Sequence, residues 1–320
     1  MRVASIDIGT NTILLLIAEL HKGKVNPLVD VETIARLGEG VQKNGMLSQE
    51  AMTRGFQTLS QYMQRCRSMA VERVFAVGTS ALREAANASK FLNMIKERLG
   101  FSINIISGEE EAFFSFLSVA RDLGRGLAPG QFCGLGESDK RPTLVVDLGG
   151  GSTEFILGKG DRVDKWTSLP LGAVRMTEQF LHSDPVSDEE WQEMKKAVRE
   201  RLSEIPRADE PVNMVAVGGT ATTLASVDQG LKTFDFEKIH RSCLTAEALR
   251  NQLLLYRSKT IEERKNLPGL APARADVIPA GGAILSMAMD ALQCPSLLVS
   301  CHGVRYGVLY KHLGLPETVT

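Results

Sequence analysis

Two stretches hold residues whose types and spacing can bind and split phosphate. The first is LVVDLGGGSTEFIL, residues 144–157. An apolar run reaches Asp147, three glycines follow (Gly149, Gly150, Gly151), then come Ser152, Thr153 and Glu154 before an apolar run resumes at Phe155. The β-formers on either side predict two strands joined by a glycine turn. Glycine leaves backbone N–H groups open and tolerates positive φ, and successive free N–H groups form an anion nest. The stretch therefore reads as a phosphate cradle. No Gly-Lys-Ser/Thr follows, so it is not a Walker A loop. A strand, not a helix, comes next, so it is a poor dinucleotide fingerprint. A hairpin that binds nothing has little need of three consecutive glycines, each of which costs conformational entropy on folding.

The second stretch is ISGEEEA, residues 106–112, with Glu109, Glu110 and Glu111 at a predicted helix start. On the residues alone, three acids there complement the positive end of the helix dipole.

The elements that must position these groups repeat. ASIDIGTNTILLLI (residues 4–17) overlays the glycine stretch with Asp7 on Asp147, and places Thr10 and Asn11 in the corresponding turn. VFAVGTSAL from Val74 overlays MVAVGGTAT from Met214: strand, glycine, hydroxyl, helix in both. A helix over about 48–70 carries Met52, Phe56, Leu59, Met63, Cys66 and Ala70 on one apolar face. Ser187-x-x-Glu190 predicts a capping box for a helix to about Leu202. Each half reads βββαβαβα, which is an internal duplication. The expected domains are residues 1–124 and 125–320, the second with a helical insertion at about 232–290, facing each other across a cleft. A turn is expected at 21–24, a glycine-rich linker at 124–142, a loop around Gly172 and Arg175, and a last helix at 303–313 that closes the second half.

At 320 residues the chain is long enough for two domains, and its net charge of −1 gives no global case for nucleic acid or an acidic membrane surface. Five scattered cysteines without a C-x-x-C pair predict reduced thiols, and Cys301–His302 does not match a zinc spacing. Asp7 interrupts the N-terminal apolar run, and the run over 13–20 is too short to span a bilayer. The expectation is a soluble, cytoplasmic protein with no nucleic-acid or membrane partner.

With DIGTNT, ISGEEEA, VDLGGGSTEF, VAVGGT and SCHGVRYGVLY in this order, the chain resembles the exopolyphosphatase / guanosine-pentaphosphate phosphatase family in its short, two-domain form. That family has the actin–Hsp70–sugar kinase fold, so the resemblance implies two ribonuclease-H-like α/β domains. It implies hydrolysis of a terminal phosphoanhydride of polyphosphate, short chains favoured, or of the 5′ γ-phosphate of guanosine pentaphosphate. A divalent cation, usually Mg²⁺, is implied with it. Glu111 falls on the family's catalytic glutamate, which orients and deprotonates the attacking water, with Glu109 and Glu110 as the alternatives if the helix phase differs. Asp147, Glu154 and Asp7 fall on acidic positions near the phosphate and metal. Amides of Gly149, Gly150, Gly151 and Ser152, with Thr10, Asn11 and Arg83, fall on phosphate-binding positions. Gly218, Gly219 and Thr220 match a turn that faces the nucleoside in relatives, or is structural here. Arg36, Arg175 and Arg305 sit beside glycine loops and are candidate ligand contacts. Three positions depart from the family pattern: Leu14 and Phe113 where relatives carry arginine, and Tyr306 where they carry an acid. These bear on substrate choice and chain length. The competing readings are a kinase of the same superfamily and a guanosine tetraphosphate sensor with little turnover. A homodimer is left open.

Overall fold

A computed structural model of the chain describes residues 1–21, 24–124 and 141–313. The centre of the expected turn at 21–24, nearly all of the glycine-rich linker, and Cys133 lie outside the described residues. The chain forms two compact units: Met1–Ser118 with Val304–Thr320, and Val119–Gly303.

The first unit runs β1 (Arg2–Ile8), β2 (Thr12–His21), β3 (Lys24–Ile34), α1 (Val41–Asn44), α2 (Gln49–Ser68), β4 (Arg73–Gly78), α3 (Ser80–Glu84), α4 (Ala88–Leu99), β5 (Asn104–Ile105) and the start of α5 (Gly108–Leu123). Its sheet has the order β3-β2-β1-β4-β5. β1 pairs antiparallel with β2 and parallel with β4, so it is central, and Val3, Ala4, Ile6 and Ile8 are all fully buried. α2 opens where Ser48 accepts the Ala51 amide, and it buries Met52, Leu59 and Cys66 with Phe56 and Met63 packed at the core's edge.

The second unit runs β6 (Thr143–Leu148), β7 (Thr153–Lys159), β8 (Arg162–Leu169), α6 (Ala173–Phe180), α7 (Asp188–Leu202), β9 (Asn213–Val217), α8 (Gly219–Asp228), α9 (Phe236–Ile239), β10 (Ser242–Thr245), α10 (Ala246–Arg257), α11 (Ile261–Arg264), a 3-10 turn at Pro272–Arg274, α12 (Ile278–Ala291) and β11 (Ser296–Ser300). The sheet order is β10-β11-β9-β6-β7-β8. Read from its β8 edge, this repeats the first sheet strand for strand and adds β10 at the far edge. The duplication and the two ribonuclease-H-like α/β folds are thus present in the backbone.

Four details differ from expectation. The segment 232–290 is not purely helical, because Ser242–Thr245 adds an antiparallel edge strand to β11. The loop around Gly172 and Arg175 is the start of helix α6. In α7, Ser187 caps as expected, but the Glu190 side chain turns back to Ser183 rather than to its own N-cap.

The fourth is the last helix, α13 (Val304–His312), which belongs to the first unit and not to a domain at 125–320. Its apolar side chains decide this: Val304 and Val308 cluster with Val77, Ile106 and Phe114, and Leu309 and Tyr310 with Val3 and Leu16. Polar groups reinforce it. Arg305 donates from Nε (2.8 Å) and Nη2 (2.9 Å) to Asp30 on β3, and the Tyr306 hydroxyl donates to the same carboxylate at 2.8 Å. An acid at position 306 would set a second carboxylate beside Asp30. The tyrosine supplies a donor instead, which gives this departure from the family pattern a packing role.

Candidate active site

Helix α5 sorts its three acids. Ser107 and Glu110 form a reciprocal cap: the Glu110 amide donates to Ser107 Oγ (3.1 Å), and the Ser107 amide to Glu110 Oε2 (2.9 Å). Glu110 is therefore spent on the helix end, and Glu109 is exposed. Glu111 is buried, and Arg83 Nη1 donates to its Oε2 at 2.6 Å while also holding the Ile106 carbonyl at 2.9 Å. An arginine this close favours the ionised carboxylate, as does the helix start. Arg83, expected at phosphate, is thus placed first on Glu111.

The glycine stretch forms a tight turn in which the Gly149 amide donates to the Ser152 carbonyl at 3.0 Å. The Gly9 amide does the same to the Thr12 carbonyl at 2.9 Å in the first unit, so the two turns share their geometry as well as their sequence. Gly149, expected to offer its amide to phosphate, has used it inside the turn. The amides of Gly150, Gly151 and Ser152 donate to no group among the described residues. In the first unit, Thr10 and Asn11 are buried, and Asn11 Oδ1 has no hydrogen-bond partner among the described residues.

Asp147 and Glu154 are directly opposite in the β6–β7 ladder, both buried. Opposite residues of an antiparallel pair stand on one face, and two like charges there repel. Ser168 Oγ donates to Glu154 at 2.7 Å. Gly218, at φ +98°, brings the turn before α8 against the end of β6: a Cβ there would stand 2.6 Å from the Leu148 carbonyl oxygen and 3.4 Å from Asp147 Oδ1. The Gly218–Thr220 turn is therefore a close-approach element beside Asp147. Asp7 lies on β1 of the first unit, opposite Leu14.

The three remaining arginines have protein partners. Arg305 is on Asp30, as described. Arg175 Nε donates to the Gly151 carbonyl at 2.6 Å. Arg36 sits at φ +48°, and its amide donates to the Asn11 carbonyl at 2.9 Å.

The Ppx/GppA phosphatase family model matches residues 16–315. The chain belongs to that family. It is 36% identical over 297 residues to exopolyphosphatase 2 of Mycobacterium tuberculosis, covering 89% of this chain and 88% of that one. It is 35% identical over 308 residues to a bifunctional 3-dehydroquinate synthase/phosphatase of Fusobacterium nucleatum, covering 93% of this chain but only 44% of that longer protein. A solved structure of the Aquifex aeolicus PPX-GPPA enzyme superposes with a TM-score of 0.79 at 34% identity, over 97% of this chain and 99% of that one. Among the described residues no helix is long and apolar enough to cross a membrane.

The donor set fits a hard divalent cation. Mg²⁺ takes oxygen ligands, needs one or two carboxylates, and fills the rest with water and substrate phosphate. The opposed pair Asp147 and Glu154 would supply those carboxylates, and a shared cation would offset their repulsion. A trio elsewhere, Asp122, His240 and His302, brings potential ligand atoms within 4.8 Å of one another. Its hydrogen bonds fit a polar lock better. His240 Nδ1 accepts the Cys301 amide at 3.2 Å, so the ring proton is on Nε2, facing Asp122. Arg241 takes both Asp122 oxygens, at 2.9 and 3.1 Å, and the Asp122 carbonyl as well.

Sequence reasoning missed this cluster, in which Asp122 lies 118 residues before His240, and His302 about sixty residues after it. It also missed Arg274, a buried residue whose guanidinium lies against Gly219 at the head of α8. Its only signal was a basic residue between prolines. Of the cysteines, Cys66, Cys294 and Cys301 are free, and burial pushes the Cys66 thiol up to about 11.

The Asp122 cluster yields a stability prediction. Burial pushes the Asp122 carboxyl up, but hydrogen bonds from His240 and Arg241 and the positive surroundings outweigh it and hold the group well below the usual carboxylate range. A depressed folded-state pKa contributes stability that is complete above the unfolded value, about 3.9, and is lost as pH falls through the folded value. Asp122→Ala, which takes both carboxylate oxygens away from Arg241, is expected to cost about 3 kcal/mol at pH 7. The gap to the native chain should narrow as pH drops below about 4. Urea unfolding of both chains at pH 7 and pH 3 checks this, and an unchanged gap contradicts it.

Proposed function

We propose that the chain hydrolyses the terminal phosphoanhydride of short inorganic polyphosphate or the 5′ γ-phosphate of guanosine pentaphosphate. The observation that supports this most is the sorting of the three α5 acids, which leaves Glu111 alone both buried and held by an arginine. Glu111 orients the attacking water and takes its proton. The water oxygen bonds to the terminal phosphorus as the bridging P–O bond breaks. The bridging oxygen leaves with the shortened chain, and inorganic phosphate is the other product. The amides of Gly150, Gly151 and Ser152 hold the non-bridging oxygens, where charge is spread during transfer. Arg83 keeps Glu111 ionised and oriented, and its remaining donors are available to phosphate. A divalent cation held by Asp147 and Glu154 neutralises phosphate charge when bound.

The test is phosphate release from tripolyphosphate and guanosine pentaphosphate, side by side, with Mg²⁺ varied. Release from at least one, abolished by a chelator and restored by Mg²⁺, is the expected result. Binding without release from either would move the chain to the sensor reading. Consumption of ATP only with an added acceptor would move it to the kinase reading.

A further inference from the structure

The carbonyls of the glycine loop all turn one way. Gly149 O accepts from the Ala173 amide (3.0 Å), Gly150 O from the Val174 (2.9 Å) and Arg175 (3.0 Å) amides, and Gly151 O from Arg175 Nε (2.6 Å). In a trans peptide the carbonyl and the following N–H point in opposite directions. Holding three successive carbonyls on α6 therefore turns three successive amides, those of Gly150, Gly151 and Ser152, to the other side. These are the amides that donate to none of the described residues.

We propose that Arg175 and the first turn of α6 are the positioning device of the phosphate loop. They bind no phosphate themselves; they aim the amides that do. The proposal rests on the hydrolase reading above.

Three further observations fit. The N-cap of α6 is Gly172, which has no side chain to offer, so the helix's opening amides are satisfied by the loop carbonyls instead. Gly172 also allows the approach, because a Cβ there would strike the Gly150 carbonyl and the Gly151 nitrogen. Finally, the first unit has the same device without the charge: Thr10 O accepts from the Gly38 amide (2.8 Å) and Asn11 O from the Arg36 amide (2.9 Å), both backbone donors. The second unit adds the Arg175 guanidinium. A charge-assisted bond to Gly151 O is stronger than a neutral one. It also polarises the Gly151–Ser152 peptide, which makes the Ser152 amide a better donor.

The test reads binding and turnover separately. Arg175→Met keeps length and loses the donor; Arg175→Lys restores one donor and the charge. Ala173→Pro removes one clamp bond at the first position of α6, where proline is tolerated, after a residue already extended at φ −132°, ψ 154°. Tripolyphosphate binding is measured by calorimetry in a Glu111→Gln background, and phosphate release in the native background. Arg175→Met is expected to weaken binding and raise KM about tenfold with kcat within about threefold, the pattern of weakened uniform binding by the amides it aims. Lysine should recover most of the loss, and Ala173→Pro should weaken binding in the same direction. A purely structural arginine would lower Tm and the active fraction but leave KM unmoved. Unchanged KM and affinity in both Arg175→Met and Ala173→Pro, or a lysine variant as impaired as methionine, would overturn the proposal. If the native chain releases no phosphate, the hydrolase reading fails separately, and the calorimetric comparison still decides what Arg175 does to anion binding.

Discussion

Glu111→Gln is expected to lower phosphate release by roughly three orders of magnitude, within the range for a positioned general base. The substitution keeps size and shape and removes the charge that binds a water proton. The helix should not suffer, because its cap is made by Ser107 and Glu110 and not by Glu111. Arg83 keeps a partner in the Ile106 carbonyl. KM for tripolyphosphate should therefore move by no more than a few fold, since phosphate is held elsewhere. Initial rates across a substrate series separate kcat from KM. A variant that loses affinity and keeps kcat would show that Glu111 binds and does not activate.

The second large effect is at Asp147. Asp147→Asn keeps the contact with the Gly218 turn and removes one of the two opposed carboxylates. With a hard cation losing a charged ligand, kcat/KM at fixed Mg²⁺ should fall roughly a hundredfold. The Mg²⁺ midpoint should rise in parallel, so that added Mg²⁺ restores part of the activity. Rates measured over a wide Mg²⁺ range check this. An unchanged midpoint would separate Asp147 from the cation and leave it as a turn residue.

Much of this arrangement is legible in the chain because it is local. The glycine turn, its earlier copy at Asp7 and the VGGT turn are short runs whose neighbours in sequence are their neighbours in space. That the two sheets share one strand order follows from the repeat. What escaped depends on distance. Asp122, His240–Arg241 and His302 meet only after the sheet is assembled, and no spacing announces them. The α13 helix reads as the end of the second half because it follows β11, yet Val308, Leu309 and Arg305 find their partners on β1, β3 and β4. The α6 helix was hidden by its own glycine N-cap, which resembles loop sequence. Its opening amides are capped by a loop more than twenty residues earlier, and side-chain capping rules do not cover that. Gly149 shows the reverse error: a residue in the right motif whose amide is spent within the turn.

The most direct test of the central claim compares Glu109→Gln, Glu110→Gln and Glu111→Gln in one phosphate-release assay with tripolyphosphate and Mg²⁺. The account predicts near-native release from the first, native kcat with a modest fall in Tm from the second, and loss of release from the third alone. Loss in Glu110→Gln equal to that in Glu111→Gln, or release retained by Glu111→Gln, would contradict it.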